Sequence, residues 1–500
     1  MSGAVSTAAS PPAAASGPVL TSDRNLHMLR RLTFGPSPAS VAEINSLGSL
    51  RWLEDQLNPA VIDDHVCAGY LARYPRLAWT IQSTRTHLSN GAWDLMEDLG
   101  EATLLRATWS RRQLFEVMVE FWSNHLNVTN PSSDVWDNRH DYDANVIRKY
   151  TFGKFSDMLW ASANHPAMMR YLNNADSTPP DFNENYGREL LELHTVGVDG
   201  GYTEVDMRNS ALIMSGYGVH DPWPSDANTG IFEYIPDNHY VGPVTVMGFS
   251  SPNATAAGGY AVGKAYLSYL ATHPSTAKRI ADKLITRFIS DDPRPALSAR
   301  LAATYLAHGT AIVPVLRQLF TSREFQYAVG HKVRRPLEDL IASLRTLGIT
   351  PDPGTGTDGI QALWWESDNL GQQPMAWALP NGYPDTAPDW QSTNGTLERW
   401  NIHMALAGQW WPVQASPPML QAPPLASFLP SPLPANYGTF VDLMAERLVY
   451  QKLGPDARAA VLAFMGQAAT DPVASNDAYV SWRFPYLIAL ILDSVYHTMR

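Results

Sequence analysis

The stretch EATLLRATWSRRQLFEVMVEFWSNHL, residues 101–126, carries the pattern that decides the fold. Apolar residues recur along it at intervals of three or four, the spacing that places side chains on one face of an α-helix. The residues on that face are Leu104, Leu105, Trp109, Leu114, Phe115, Met118, Phe121 and Trp122. The pattern predicts a single long amphipathic helix.

Similar spacing continues through most of the chain and predicts a mainly α protein with a large multi-helical body. Two helices are expected within residues 37–57, because Gly48 interrupts that segment. Further helices are predicted around residues 137–150, 154–163, 166–173, 183–195, 204–216, 259–272, 275–289, 297–307, 311–320 and 336–347.

One stretch, GIFEYIPDNHYVGPVTVMGFS at residues 230–250, departs from helical spacing. Apolar and polar residues alternate on both sides of Pro236, Asp237 and Asn238. Alternation with a period of two around turn-forming residues is typical of a β-hairpin. The sequence therefore predicts a small hairpin inserted in the helical body.

Five hundred residues exceed what one hydrophobic core usually serves, so more than one structural part is expected. Residues 1–24 are predicted to be a disordered leader, because they are rich in Ala, Ser, Pro and Gly and lack the pattern of a signal peptide. Residues 25–349 are predicted to form the main helical domain. Residues 350–500 are predicted to be a loop-rich and helical part packed on it, with long irregular segments rich in Pro, Gly and Trp.

Composition limits the classes of partner. The net charge of -12 and the absence of a basic stripe argue against nucleic acid. The 16 Trp and 21 Tyr supply flat rings that stack on sugars as well as fill cores. Cys67 is the only cysteine, which excludes an internal disulfide and a cysteine-based zinc site. No window reaches 18 consecutive apolar residues, so no membrane span is predicted, and a cytoplasmic location is the default expectation.

Residues 181–206, DFNENYGRELLELHTVGVDGGYTEVD, concentrate charge in a chain that has only 17% charged residues. A helix predicted over residues 183–195 would place Glu184, Asn185, Arg188, Glu189 and Glu192 in one polar stripe. Opposite charges four residues apart could explain the stripe as an ordinary solvated face. Alternatively the stripe faces a cleft.

In the cleft interpretation, Glu189 and Glu192 would act as general acid and base, because two neighbouring like charges shielded from water shift each other's pKa. Arg188 would orient one carboxylate or bind an anionic part of a substrate. His125, in FWSNHLNV, is the expected companion, although a histidine on such an apolar face is more often a core residue.

A metal site is the remaining interpretation of these side chains. His125, His140, Glu189 and Glu192 have suitable ligand chemistry. No His-x-x-x-His or Glu-x-x-His motif accompanies them, so the sequence assigns no metal ligand. No feature of the sequence indicates a cofactor or an oligomeric state.

Seven motifs occur in a fixed order along the chain: RRLTFGPS (30–37), FWSNHLNV (121–128), HPAMMRYLNN (165–174), NENYGRELLELHTVGVDGGYTEVD (183–206), SGYGV (215–219), RRPLEDLIASLRTLG (334–348) and PNGYPDTAPDWQSTNGTLERWN (380–401). Together they resemble the bacterial family known as domain of unknown function number 1800. The resemblance covers nearly the whole chain and implies important positions at Arg335, Pro336 and Glu338. It also suggests substrate-binding residues at Asn183, Glu184, Asn185, Trp390, Arg399 and Asn401. Family members are often exported, whereas this chain shows no export signal.

Three functional hypotheses follow. The first is an acid–base enzyme, such as a hydrolase, that acts on a neutral or cationic carbohydrate polymer. Glu189 and Glu192 would then be catalytic, with His125 and Arg188 orienting them. The second carboxylate could instead be Asp141, Glu338 or Asp389.

The second hypothesis is a non-catalytic binding or assembly protein for envelope polysaccharide, in which the stripe is a buried structural network. The third is a metal-dependent enzyme. A cleft beside Glu189 lined by tryptophans would favour the first hypothesis, and a stripe sealed beneath helices would favour the second. The tryptophans considered for that cleft are Trp364, Trp365, Trp377 and Trp390.

Overall fold

The computed structural model describes residues 19–220, 229–352, 354, 356–413 and 419–500. These residues contain 24 α-helices and three two-stranded antiparallel sheets, which confirms the predicted mainly α class. Most of the predicted leader, residues 1–18, lies outside the described part of the chain. The leader's next residues are described, and Leu20 is buried in the core.

The first eight helices confirm the predicted division at Gly48, whose positive φ of 78° ends one helix and begins the next. They are α1 (Arg24–Leu32), α2 (Pro38–Leu47), α3 (Ser49–Leu57), α4 (His65–Leu71), α5 (Ile81–His87), α6 (Asp94–Trp109), α7 (Gln113–His125) and α8 (Arg139–Tyr142).

The prediction of one helix over residues 101–126 is wrong, because α6 ends at Trp109 and α7 begins at Gln113. Side chains bind the backbone at this break. The Asp64 carboxylate accepts from the amide of Arg111 (2.7 Å), and Gln56 Oε1 accepts from that of Leu114 (3.1 Å). Such bonds replace helical ones and stabilise the kink.

The next eight helices surround the glutamate-rich stretch. They are α9 (Phe155–Ala163), α10 (Pro166–Tyr171), α11 (Asn185–Glu189), α12 (Glu204–Met214), α13 (Gly259–Ala271), α14 (Pro274–Phe288), α15 (Pro295–Ala307) and α16 (Ile312–Thr321). Two of the 24 described α-helices continue as wider π-helices, which are Asp143–Arg148 after α8 and Leu190–His194 after α11. A π-turn inside a helix frequently marks a functional site.

The last eight helices complete the body. They are α17 (Arg323–Gln326), α18 (Pro336–Leu347), α19 (Asp358–Asn369), α20 (Thr393–Ala407), α21 (Tyr437–Val449), α22 (Pro455–Met465), α23 (Phe484–Leu492) and α24 (Val495–Thr498). Helix α19 lies inside residues 350–394, which were predicted to be irregular. Of the second predicted irregular segment, residues 414–435, residues 414–418 lie outside the described part of the chain. One cluster of buried apolar residues contains side chains from both predicted parts of the chain. No described helix is long and apolar enough to cross a membrane.

The β-structure confirms a small insertion but pairs differently from the prediction. Strands β1 (Tyr217–His220) and β2 (Ile231–Tyr234) pair, as do β3 (Val244–Val246) and β4 (Phe249–Ser251). Residues Met247 and Gly248 both have positive φ, which is the geometry of a tight hairpin turn and directs β3 onto β4. The third sheet joins β5 (Thr350–Pro351) to β6 (Leu420–Gln421).

Short 3₁₀ turns connect several of these elements. They are Pro59–Val61, Pro75–Ala78, Ser133–Val135, Asn174–Asp176, Pro236–Asn238, Ala256–Gly258, Ala387–Trp390, Leu425–Phe428 and Ala478–Val480. The turn at Pro236–Asn238 lies where the sequence predicts the hairpin turn, but it carries the chain from the first sheet to the second.

A buried ion cluster joins the helices that position the candidate site. Its centre is Glu338, in the first turn of α18 and only 1% exposed. The Glu338 carboxylate lies 2.5 Å from Arg287 Nη1, 2.9 Å from Arg500 Nη1 and 3.1 Å from Arg335 Nη2. Burial opposes ionisation of Glu338. The positive charges of the three guanidinium groups outweigh it, with Arg287 having the largest effect, and hold the pKa of Glu338 well below its usual range.

Two further carboxylates extend this cluster. Glu120 of α7 lies 2.6 Å from Arg335 and 3.3 Å from Arg287. Asp385, from the loop before α20, lies 3.5 Å from Arg287 and 3.7 Å from Arg335. The Glu338 cluster therefore connects α7, α14, α18 and the 377–389 loop.

Replacing the central carboxylate should destabilise the protein strongly. Glu338→Gln keeps the side-chain shape but leaves buried arginines without their main counter-charge, which costs about 3–5 kcal/mol. The matched control is Glu54→Gln, which breaks the exposed pair with Arg317 and should cost less than about 1 kcal/mol. Denaturant titration measures both values. Equal, small losses in the two variants would contradict a stabilising role for the Glu338 cluster.

Candidate functional site

The polar stripe predicted over residues 183–195 lies on α11 and the π-helix that follows it. Asn183 Oδ1 accepts from the amide of Asn185 (2.9 Å) and so caps the first turn. Gly187 allows α11 to approach α12, because a Cβ there would lie 2.5 Å from the backbone nitrogen of Ala211. Glu192 follows in the π-helical part.

The stripe is not sealed beneath other helices. Glu184 and Asn185 are exposed, whereas Arg188, Glu189 and Glu192 are partly buried. Arg188 Nη2 binds Glu204 Oε2 at 3.0 Å on the protein surface, so its ion pair is with α12 and not with either catalytic candidate. Surface pairs of this kind contribute little stability.

Among the described residues, no hydrogen bond or ion pair reaches the carboxylates of Glu184, Glu189 or Glu192, and of these Glu189 and Glu192 are partly buried. Burial, followed by the charge of Glu192, raises the pKa of Glu189 above its ordinary value. The direction is that expected when a like charge lies near a carboxylate.

His125 is buried and links two distant segments. Its Nε2 lies 3.0 Å from the His194 carbonyl oxygen, and its Nδ1 lies 3.1 Å from Lys283 Nζ. Burial, followed by the charges of Lys283 and Arg279, holds the pKa of His125 well below its usual range. A neutral His125 must donate from Nε2, because a carbonyl only accepts, and its Nδ1 therefore accepts from Lys283.

Three cationic residues lie four residues apart on one face of α14, at Arg279, Lys283 and Arg287. Arg279 donates to the Leu193 carbonyl oxygen, at 3.1 Å and 3.2 Å, beside the glutamate pair. Arg287 belongs to the Glu338 cluster. Lys283, between them, forms no ion pair among the described residues.

Lys283 lines a cavity of about 400 Å³ between α7, α14 and the 377–389 loop. The cavity wall combines carboxylates, an amide and aromatic rings, at Glu120, Asn124, Trp377, Tyr383, Asp385 and Asp389. Burial, followed by the charge of Arg279, lowers the pKa of Lys283 to about 7. A substantial fraction of the Lys283 amine is therefore neutral near physiological pH and able to accept a proton.

The remaining substrate-binding candidates are dispersed. Trp390 contacts the cavity indirectly, since its ring centroid lies 5.8 Å from that of Tyr383. Arg399 is buried and donates to the Arg334 carbonyl oxygen at 3.2 Å. Asn401 is exposed on α20.

The alternative second carboxylates also occupy separate places. Asp141 lies 2.9 Å from His165 Nε2, and Glu338 is the centre of the ion cluster, whereas Asp389 lines the cavity. Of the tryptophans considered for a cleft, Trp377 lines the cavity, while Trp364 is buried in the core.

The four side chains considered for a metal site do not lie close enough together to form it. Among the described residues, no three of His125, His140, Glu189 and Glu192 offer ligand atoms within 4.8 Å of one another. His140 Nε2 instead lies 2.9 Å from the Trp79 carbonyl oxygen.

Lys283, Glu120 and Asp385 are residues of the site that the sequence analysis missed. Their proximity depends on contacts between segments far apart in the chain. The spacing of Arg279, Lys283 and Arg287 was a usable signal, because three cations on one helix face are unusual where charged residues are sparse.

Comparison with known proteins relates the chain to one family. A family model described as Protein of unknown function (DUF1800) matches residues 27–498. The match includes every residue of the cavity, the Glu338 cluster except Arg500, and the glutamate stripe. No curated protein and no solved structure matches the chain.

Lys283 should titrate near neutral pH. Competitive labelling with an amine-reactive reagent, read by mass spectrometry across pH 5 to 10, should give Lys283 a midpoint near pH 7, because its pKa is lowered to about 7. Lys278 provides an internal reference on the same helix, exposed and paired with Asp282. A midpoint for Lys283 above about pH 9 would contradict a lowered pKa for this amine.

Glu189→Gln should be as stable as the parent or more stable at neutral pH. Since the pKa of Glu189 is raised by burial, the folded protein binds this proton more tightly than the unfolded chain. The free energy of unfolding of the parent therefore falls as pH rises through the folded-state pKa of Glu189. Glutamine does not titrate, so the variant does not show this decrease. Denaturant titrations at about pH 4 and pH 7, with exposed Glu184→Gln as control, measure the difference. A loss of about 3 kcal/mol at neutral pH would instead indicate a paired structural charge.

Proposed function

The chain belongs to the DUF1800 family, and for this member we propose an acid–base enzyme that acts on a carbohydrate polymer, with Lys283 as the proton acceptor. The observation that carries the proposal is the position of the Lys283 amine. It lies in the wall of a cavity, bound to a neutral imidazole and without a carboxylate partner. A lysine needed only for stability or solubility would be ion-paired or exposed.

His125 positions the Lys283 amine without supplying charge. Its Nε2 proton is committed to the His194 carbonyl, so its Nδ1 is left to accept from Lys283. A carboxylate in the same place would favour the ammonium form and remove the basic electron pair. The imidazole therefore orients the amine while preserving its basicity.

The cavity suits a sugar ring. Trp377 and Tyr383 present aromatic surfaces, with ring centroids 5.1 Å apart, and such rings stack on the apolar faces of sugars. Asp389, in the cavity wall, provides a carboxylate for hydroxyls. The volume, about 400 Å³, falls within the usual range for small-ligand sites.

The glutamate pair supplies the acid side of the proposed reaction. Glu189 is partly buried beside Glu192 and has no bonding partner among the described residues, conditions that favour retention of a proton. Arg279 connects the two halves of the site, because it binds the Leu193 carbonyl next to Glu192 and lies one turn from Lys283. In a hydrolysis, Lys283 would take a proton from water while Glu189 protonates the departing sugar oxygen.

Glycan binding without catalysis is the second candidate. It is favoured by exposed tryptophans in the second half of the chain, since flat exposed rings stack on sugars. Among the described residues they are Trp365, Trp400, Trp410, Trp411 and Trp482. The two candidates make different predictions for the fate of a bound polymer.

The test is incubation of the full chain with neutral, cationic and acidic polysaccharides, followed by size and mass analysis of the products. The parent should shorten a neutral or cationic polymer. Lys283→Met and Glu189→Gln should each lower kcat by about 100-fold or more, because general acid–base groups contribute at least this much. The matched controls Lys278→Met and Glu54→Gln, at exposed ion pairs outside the site, should retain parental kcat.

Each outcome separates the candidates. A polymer that binds but stays intact would favour the second candidate. Cleavage that survives Lys283→Met would exclude Lys283 as the proton acceptor, and loss of activity in the control variants would exclude a specific role for either residue.

A further inference from the structure

Three buried side chains converge outside the site described above. Asp339 lies in the first turn of α18, His403 in α20 and His497 in α24. His403 Nε2 is 3.1 Å from Asp339 Oδ2, and His497 Nε2 is 3.5 Å from Asp339 Oδ1. One ligand atom from each residue lies within 4.8 Å of the others.

These polar atoms lack the hydrogen bonds expected at their depth. Asp339 is fully buried and His403 is 1% exposed. No hydrogen bond of ordinary geometry reaches either Asp339 carboxylate oxygen or His403 Nε2 from the described residues. His403 Nε2 and Asp339 Oδ2 nevertheless face each other at 3.1 Å, and a cation bound between them would be coordinated by both atoms.

A second carboxylate orients His403. Asp493 Oδ1 lies 2.8 Å from His403 Nδ1 and accepts its proton. The other ring nitrogen, Nε2, then faces Asp339. Histidine ligands of metal ions are commonly held by a carboxylate on their other nitrogen, which is the arrangement found here.

The ligand spacings can be compared with those around zinc. Ligands about 2.0–2.1 Å from zinc lie about 3.3 Å apart at tetrahedral angles. His403 Nε2 lies 3.1 Å from Asp339 Oδ2 and His497 Nε2 lies 3.5 Å from Asp339 Oδ1, so each imidazole is near this spacing from one oxygen of the shared carboxylate. Ser343 Oγ, 3.0 Å from His497 Nε2, is available as a fourth oxygen donor.

We propose that Asp339, His403 and His497 bind one divalent transition-metal ion, with zinc the best match to this set of ligands. The site is closed, because all three ligands are buried, and this closure assigns it a structural role. The ion would join α18 to α20 and α24. The carboxylates of Asp339 and Asp493 oppose the positive charges of Arg334 and Arg399, which face the same cluster.

The test uses the full chain purified without a metal-affinity tag. Elemental analysis should find about one zinc per chain, and removal by a chelator should lower the unfolding temperature until zinc is restored. Cobalt reconstitution of the parent should give the visible absorption bands of a tetrahedral site, a measurement that needs no substitution. His403→Gln and His497→Gln should lose the metal, whereas the buried control His140→Gln should retain it.

The proposal would be overturned if the parent protein took up neither zinc nor cobalt and its unfolding temperature were unchanged by chelator. The cluster would then consist of a protonated His403 bridging Asp339 and Asp493. Retention of stoichiometric zinc by both His403→Gln and His497→Gln would also overturn the assignment of these ligands.

Discussion

Neutralisation of three buried arginines by Glu338, Glu120 and Asp385 is the constraint on which the site depends. Buried charges need partners of opposite sign, so Arg287, Arg335 and Arg500 converge on Glu338, and the other two carboxylates balance the remaining charge. The requirement fixes the rotation of α14 about its axis, because only one face can present Arg287 to α18. Lys283, one turn earlier, must then face the same side. The ion cluster thereby places a lysine at the cavity although it makes no contact with that lysine.

The same constraint determines which carboxylates are free to pair with Lys283. Glu120 and Asp385, in the cavity wall, are paired with Arg287 and Arg335. Those carboxylates are therefore engaged and leave Lys283 without an ion pair. Burial and the nearby charge of Arg279 can then lower the pKa of Lys283 to about 7. The lowered pKa of Lys283 therefore results from its burial together with the charges around it.

Residue spacing predicted most of the helical body, because amphipathic periodicity is a local property of the chain. It failed at residues 110–112, where Asp64 and Gln56 bind the backbone from distant positions. It also failed to pair the strands, since Met247 and Gly248 adopt positive φ without the usual Asn-Gly signal. For the site, local charge identified the stripe containing Glu189. The cavity arises from segments that meet only after folding, which local patterns do not encode.

The π-helix Leu190–His194 lies between the glutamate stripe, which the sequence predicted, and the Lys283 cavity, which it did not predict. In a π-turn the backbone bonds skip an additional residue, which changes the direction of the carbonyls at the helix end. The His194 carbonyl at that end accepts from His125. This bond fixes the proton on Nε2 and leaves Nδ1 to bind Lys283. Hydrogen bonds from the His194 carbonyl through His125 to Lys283 therefore link the π-helix that contains Glu192 to the lysine cavity.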